Sequence, residues 1–337
     1  MQPSPGSERP RPVYGVDFSA AAGDAGAKTW VASGTVAGDD TLEITGVAPL
    51  VELLDLDAAA RETALPALAA WIHALDGDAV VGLDFPFGLP AFVVREAGHD
   101  SWRSFISGFP EEMLHSGNDD RDSDGNDDRD GNNDRDSDGN DDSDAADPVR
   151  TFTEHCVGLT RAADRGTYAK RETDAAVGAR SPYGFIADTI SFYGMRDVLS
   201  PIADDVRVMP MDARRETAPN GPTVVETYPA AVFDRRGLCR TAYKGTSQAE
   251  RARRRRNADG LASDSESLAR SADGLAGGAV SYRSDSAIVE AIVADANGDG
   301  LDAVAACVGA YGAWRNGFET DDDIDLAAVE REGYIYA

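Results

Sequence analysis

The sequence predicts an α/β domain, and three observations predict it. The first third holds three β-branched runs separated by Gly and Asp turns. After them, helical apolar spacing alternates with short strand-like runs. Hydrophobic residues make up 42% of a 337-residue chain, ample for one large packed core.

The elements follow in order. VYGVDFSA (13–20), TWVASGTV (29–36) and TLEITGVA (41–48) read as a meander of three strands. Residues 57–75 carry Leu65, Leu68, Ala69, Ile72 and Leu75 at helical spacing, and AVVGLDF (79–85) then returns as a strand. TVVETYP (223–229) is a further short strand. Its Pro229 suits the first turn of a helix through AAVF, where a missing N–H leaves no bond unmade. A helix over LDAVAACVGAYGAW (301–314) closes the chain.

The N-terminal MQPSPGSERPRP lacks the apolar stretch of a signal peptide, and residues 1–12 are expected to be disordered. Residues 13–337 then form a single domain with two low-complexity inserts, at about 116–147 and 246–284. The first repeats a unit like NDDRDSDG and has no large apolar residue, so it cannot bury a core and is expected to be a solvated, disordered acidic insert. Its Asp and Gly spacing faintly resembles a calcium loop, but the closing Glu and flanking amphipathic helices of an EF-hand are missing. The second insert opens with ERARRRRNADG, a basic cluster that reads either as a grip for a phosphate backbone or as a solvated helix end.

The formal charge of −28 is extreme for a folded chain. The fourteen Asp and three Arg of the first insert contribute −11 of it, which leaves −17 on the rest. Such a surface suits concentrated salt, where a Debye length of about 3 Å at 1 M screens self-repulsion. No run reaches the roughly eighteen apolar residues of a membrane span, so the expectation is a soluble cytoplasmic protein with no membrane partner. Cys156, Cys239 and Cys307 are odd in number and far apart, which supports neither a disulfide framework nor a CxxC metal site.

Three strand-like runs end on an acid: GVDFS at Asp17, GLDFP at Asp84 and VVETYP at Glu226. In GLDFPFGLP, Pro86, Gly88 and Pro90 turn the chain away and keep another strand from covering Asp84. A fourth group lies in NGDGLDAV, where Asp299 and Asp302 are three apart at the start of a helix. Behind Asp302 the same face carries Ala305, Ala306, Gly309 and Ala313, small enough for the helix to press on the sheet. Gathered carboxylates repel and raise one another's pKa unless cations lie between them. An oxygen-only cluster suits Mg2+ or Mn2+, and one ion, or two about 3.5–4 Å apart, would activate water against a phosphodiester. Taken singly, Asp17 and Asp84 also fit turn or helix caps, and Asp302 a helix N-terminal charge.

In their order along the chain, GVDFSAA, GLDFPFGLP, VETYPAAVF, YKG and GLDAVAACVGA resemble the predicted RNase H-like nuclease family, a domain-of-unknown-function family. The resemblance implies a ribonuclease H-like fold: a mixed five-stranded sheet, its first three strands antiparallel, flanked by helices. It implies Asp17, Asp84, Glu226 and Asp302 as catalytic metal ligands, with Asp299 a substitute or helper for Asp302. The implied partner is nucleic acid. Lys170, Arg171 and Lys244, in YAKRETD and YKG, stand at substrate-binding positions, beside the 253–256 arginines.

Two other classes compete. An ATP-dependent phosphotransferase of the actin-like or sugar-kinase type also places an acid at the end of a first strand, and GVDFSAAAGDAG offers it one short phosphate loop. A non-catalytic nucleic-acid or protein binding module would keep the fold and tolerate loss of the acids. A serine or cysteine hydrolase finds no GxSxG elbow, and His73, His99, His115 and His155 have no evident nucleophile partner.

Overall fold

The computed structural model describes residues 10–36, 38, 41–115, 147–215, 217, 219–262, 280–282 and 287–337. The disorder expected of residues 1–9 and of 116–146, and the part of the second insert at 263–279 and 283–286, lie outside the described residues.

Among the described residues eight strands form one mixed sheet: β1 Arg11–Asp17, β2 Trp30–Val36, β3 Leu42–Pro49, β4 Val80–Leu83, β5 Arg207–Met209, β6 Thr223–Thr227, β7 Val280–Tyr282 and β8 Ile335–Tyr336. Their order is β5-β6-β4-β1-β2-β3-β7, with β8 also on β6. The meander is present, with β1–β2 and β2–β3 antiparallel, while β4 runs parallel to β1 and β6 parallel to β4. The sheet therefore exceeds the expected five strands. β5, β7 and β8 are two or three residues long, too short to show a period of their own.

Side-chain alternation sorts the strands between two cores. Val16, Val31, Val81, Leu83 and Val224 face one side, under the helix Arg61–His73 and the aromatic cluster of Trp102, Phe105, Phe152 and Phe192. Val13, Ala32, Val80 and Val225 face the other, under the helix Asp299–Arg315. The expected helix over 57–75 is trimmed to Arg61–His73, with Leu65, Leu68, Ala69 and Ile72 buried and Leu75 beyond its end. Pro229 does open a helix, Pro229–Arg235.

Three boundaries depart from expectation. Arg11 and Pro12 pair with Val36 and Thr35, so the domain begins inside the stretch expected to be disordered. ERARRRRNADG is an ordered helix, Gln248–Leu261, opened by a capping box between Ser247 and Glu250. The helix Asp299–Arg315 does not close the chain; Leu326–Glu332 and β8 follow it.

Asp299–Arg315 crosses directly over β1 and β4, and glycine makes the crossing possible. A Cβ on Gly15 would lie 2.0 Å from the Cys307 nitrogen and 2.2 Å from the Ala303 oxygen, and one on Gly82 would lie 2.7 Å from the Ala306 oxygen. The small face expected of the helix is used in part, since Gly309 approaches Thr227 and the Tyr336 oxygen. Backbone cannot yield as a flexible side chain does. We predict that Gly15→Ala destabilises the fold by about 3 kcal/mol or more in urea unfolding; a loss below ~1 kcal/mol would show that the helix stands off the sheet.

Candidate carboxylate site

The register of the parallel strands assembles the first two acids. Val16 pairs with Leu83, and the Asp84 N–H donates to the Val16 oxygen, so Asp17 and Asp84 are lateral neighbours at the strand ends. Neighbours across a parallel pair point to the same face, one strand spacing of about 4.8 Å apart. That face is the one carrying Val13, Gly15, Val80 and Gly82, toward the helix Asp299–Arg315. Asp302, in the first turn of that helix, is buried against them. Asp17 is buried and Asp84 partly exposed, so the cluster opens to solvent past Asp84.

A loop supplies the counter-charge. Lys244 Nζ lies 2.7 Å from Asp302 Oδ2 and 3.9 Å from Asp299. The Tyr243 hydroxyl donates to Asp302 Oδ1 at 2.7 Å. The loop itself is fixed by Arg254, which donates to the carbonyls of Tyr243 at 2.6 Å, Gly245 at 2.8 Å and Val293 at 3.1 Å. The Gly245 N–H donates to the Ala296 oxygen, tying the loop to the segment that starts the helix. Tyr243 and Arg254 were not singled out from sequence. The signal for Tyr243 was its place in YKG, and Arg254 was hidden in a four-arginine run read as a surface.

The electrostatics follow from this crowding. Burial, then Asp302 and Asp84, push the Asp17 carboxyl well above the usual range. Burial, then Asp302, do the same to Asp84, which is within hydrogen-bond reach of Asp17, while Lys244 opposes the rise. Asp302 is raised by burial against the pull of Lys244 and Tyr243. Asp299, nearer the rim, is pushed up to about 6 by burial with Asp295 and Asp302, against Lys244. Burial works against the Lys244 ammonium, but Asp302 and Asp17 outweigh it and hold it charged.

Glu226 does not join this cluster. It pairs with Leu83, whose side chain faces the opposite core, so it points away from Asp17 although it still adds to the repulsion felt by Asp84. There it accepts two bonds from Arg171, at 2.5 and 2.7 Å, and one from the Phe87 N–H at 2.9 Å. Arg171 is also bound to both oxygens of Asp174 and to the Glu332 carbonyl. Arg171 is 1% exposed, so it is not a substrate-binding residue; its five donors are spent inside the protein. Lys170 is exposed. Of the 253–256 arginines, Arg253 donates to the Ala242 oxygen and Arg255 bonds Glu290, and Arg254 is buried.

The donor set at Asp17 and Asp84 is hard oxygen, and three close carboxylates face one ammonium, which leaves uncompensated negative charge at the opening. That chemistry fits Mg2+ or Mn2+. Among the described residues no group of three or more His, Cys, Asp or Glu is arranged to hold a metal ion, and Asp302 is bonded by Lys244 and Tyr243. Also among the described residues, no helix is long and apolar enough to cross a membrane. The chain matches no family model, and no curated protein and no solved structure matches it.

Two predictions separate the clusters. Asp17 and Asp84 bind protons more readily folded than unfolded, so their contribution to stability falls as pH rises from the ordinary carboxylate range through their folded pKa values. Asp84→Asn is therefore expected to raise Tm by several degrees at pH 7.5, with the gain shrinking toward pH 4; an unchanged Tm across that range would remove the repulsion. Arg171→Ala, by contrast, leaves Glu226 and Asp174 buried and unpaired, and is expected to lose about 3–5 kcal/mol in denaturant unfolding. A loss under ~1 kcal/mol would mean that the ion cluster contributes little.

Proposed function

We propose that this protein is a divalent-metal-dependent phosphodiesterase acting on nucleic acid, on a ribonuclease H-like sheet. The observation that carries the reading is the lateral pair Asp17 and Asp84 at two parallel strand ends, faced by Asp302, with Lys244, which sits on Asp302, the one cation bonded to any of the three among the described residues. The mixed sheet supports it: its first three strands in chain order are antiparallel neighbours, as the sequence resemblance implies, although the sheet has more than the implied five strands. One sheet among the described residues also favours it over an actin-like phosphotransferase, which needs a duplicated domain with a second phosphate loop.

Asp17 and Asp84 would hold a Mg2+ or Mn2+ ion. When bound, such an ion acidifies water and offsets charge on a phosphate. Asp302, oriented by Lys244 and Tyr243, faces the same opening as a proton acceptor or additional ligand. The Lys244 ammonium, half exposed and charged, presents donors to a phosphate oxygen. The three aromatic rings of Phe18, Phe85 and Phe87 pack behind the strand ends and fix the Asp84 turn. Pro86 and Pro90 interrupt donors there, so the opening is not closed by a further strand.

The test is cleavage of labelled single-stranded, duplex, hybrid and branched nucleic acids in molar KCl with Mn2+ or Mg2+. Asp17→Asn and Asp84→Asn are each expected to lose at least about 100-fold in rate, as removal of a group stabilising transition-state charge does, while Lys244→Ala loses less. Metal-independent cutting, or full activity in both variants, would overturn the assignment.

A further inference from the structure

Phe185 is an aromatic side chain held out in water. Five large hydrophobic side chains are exposed among the described residues, and three are clustered here: Phe185 at 74%, Ile186 at 76% and Tyr168 at 48%. Phe185 sits at φ 51° and ψ −135°, a left-handed backbone that a Cβ disfavours, so the fold holds the ring outward against a local preference. The Tyr168 and Phe185 rings are 6.4 Å apart, inclined at 42°. Their footing is rigid. Tyr183, buried beneath and 6.3 Å from Tyr168, accepts the Ala169 N–H at 2.9 Å and bonds the Thr160 hydroxyl at 2.7 Å. The Arg180 guanidinium is 5.9 Å from the Phe185 ring centre, and Lys170, two residues on from Tyr168, is exposed.

This surface borders the edge of the sheet that carries the aspartates. Lys170 precedes Arg171, whose guanidinium is fixed on Glu226 near the end of β6. Arg240, which lies 5.5 Å over the Tyr228 ring just past β6, donates to the Val177 and Gly178 carbonyls. The 168–186 segment is thus tied to the end of β6, the strand beside β4, from the face that carries Glu226.

We propose that Tyr168 and Phe185, flanked by Arg180 and Lys170, are a stacking platform for the bases of single-stranded nucleic acid and lead the strand toward the Asp17–Asp84 edge. Base faces are free only in unpaired strands, and aromatic stacking takes any base. A chain of net charge −28 repels a polyanion overall, and counterion release contributes little in concentrated salt. Stacking does not depend on either term, so an aromatic platform with two local cations is the form of recognition open to this surface. The identity of the strand rests on the phosphodiesterase reading above.

Fluorescence anisotropy of a short labelled single strand, against the duplex of the same sequence, tests this with the full chain in EDTA from low to molar KCl. Wild type is expected to prefer the single strand with a shallow salt dependence. Phe185→Ala with Tyr168→Ala should weaken it at least about tenfold, at unchanged Tm, and Phe185→Trp should retain it. Undiminished binding by the double variant, or equal affinity for the duplex, overturns the platform. Metal-dependent cutting that Asp84→Asn abolishes would in that event leave the phosphodiesterase standing; a wild type that neither binds nor cuts any strand removes both.

Discussion

The arrangement depends on how closely the helix Asp299–Arg315 lies on the sheet. Helix backbone meets strand backbone at Gly15 and Gly82 with no room for a methyl group. That contact sets the height of the whole helix, and with it the depth of Asp302 relative to Asp17 and Asp84. A helix standing off by a side-chain layer would leave Asp302 among solvent at the rim, and the three carboxylates would not sense one another. The buried second core, from Val13 through Tyr311, is the apolar stabilisation that holds this approach. The site is thus a consequence of packing, and the repulsion within it is borne by the core behind it.

The loop Tyr243–Gly245 is the second determinant. A buried guanidinium commonly satisfies carbonyls that no helix or strand reaches, and Arg254 does so for three of them. It thereby places Lys244 and Tyr243 on the two oxygens of Asp302. The run of arginines in the sequence suggests a surface for polyanions; the helix it forms instead turns Arg254 inward, Arg253 onto a backbone carbonyl and Arg255 onto Glu290. Three of the four arginines in the run are thus bonded within the protein.

The sequence made the meander, the β4 strand, the Pro229 helix and the closing acids of β1 and β4 legible because each has a strong local signal: alternation, a fixed proline φ, an acid among apolar neighbours. Asp302 was legible through its helical spacing from a stripe of small residues. Glu226 was misplaced for a definite reason. Whether an acid at a strand end faces one core or the other depends on register with the neighbouring strand, and a one-residue difference reverses it. Leu83 opposite Glu226, and Asp84 opposite nothing on β6, is information carried by pairing and not by either segment alone. Arg171 followed Glu226 into error, since its partners are 3, 55 and 161 residues away. The short strands β5, β7 and β8 hold too few residues for any periodicity to register.

Two acid clusters therefore share one sheet edge, on opposite faces, and they are built on opposite terms. On the face of Glu226, each carboxylate meets donors in number: Arg171 for Glu226 and Asp174, the Phe87 N–H for Glu226, and the Ala91 and Glu172 N–H groups for Glu332. Nothing is left over, and the cluster locks β6, the Asp84 turn and the C-terminal segment together. On the face of Asp17, the helix supplies a third carboxylate, and one lysine and one tyrosine are the partners, both committed to Asp302. A fold that can satisfy three buried acids on one face, and leaves Asp17 and Asp84 on the other with no cation of their own, holds that pair at the expense of its own stability. Such an expense is expected where a ligand completes the charge balance, which is the physical reason the proposed metal site is put on the Asp17 face and not at Glu226.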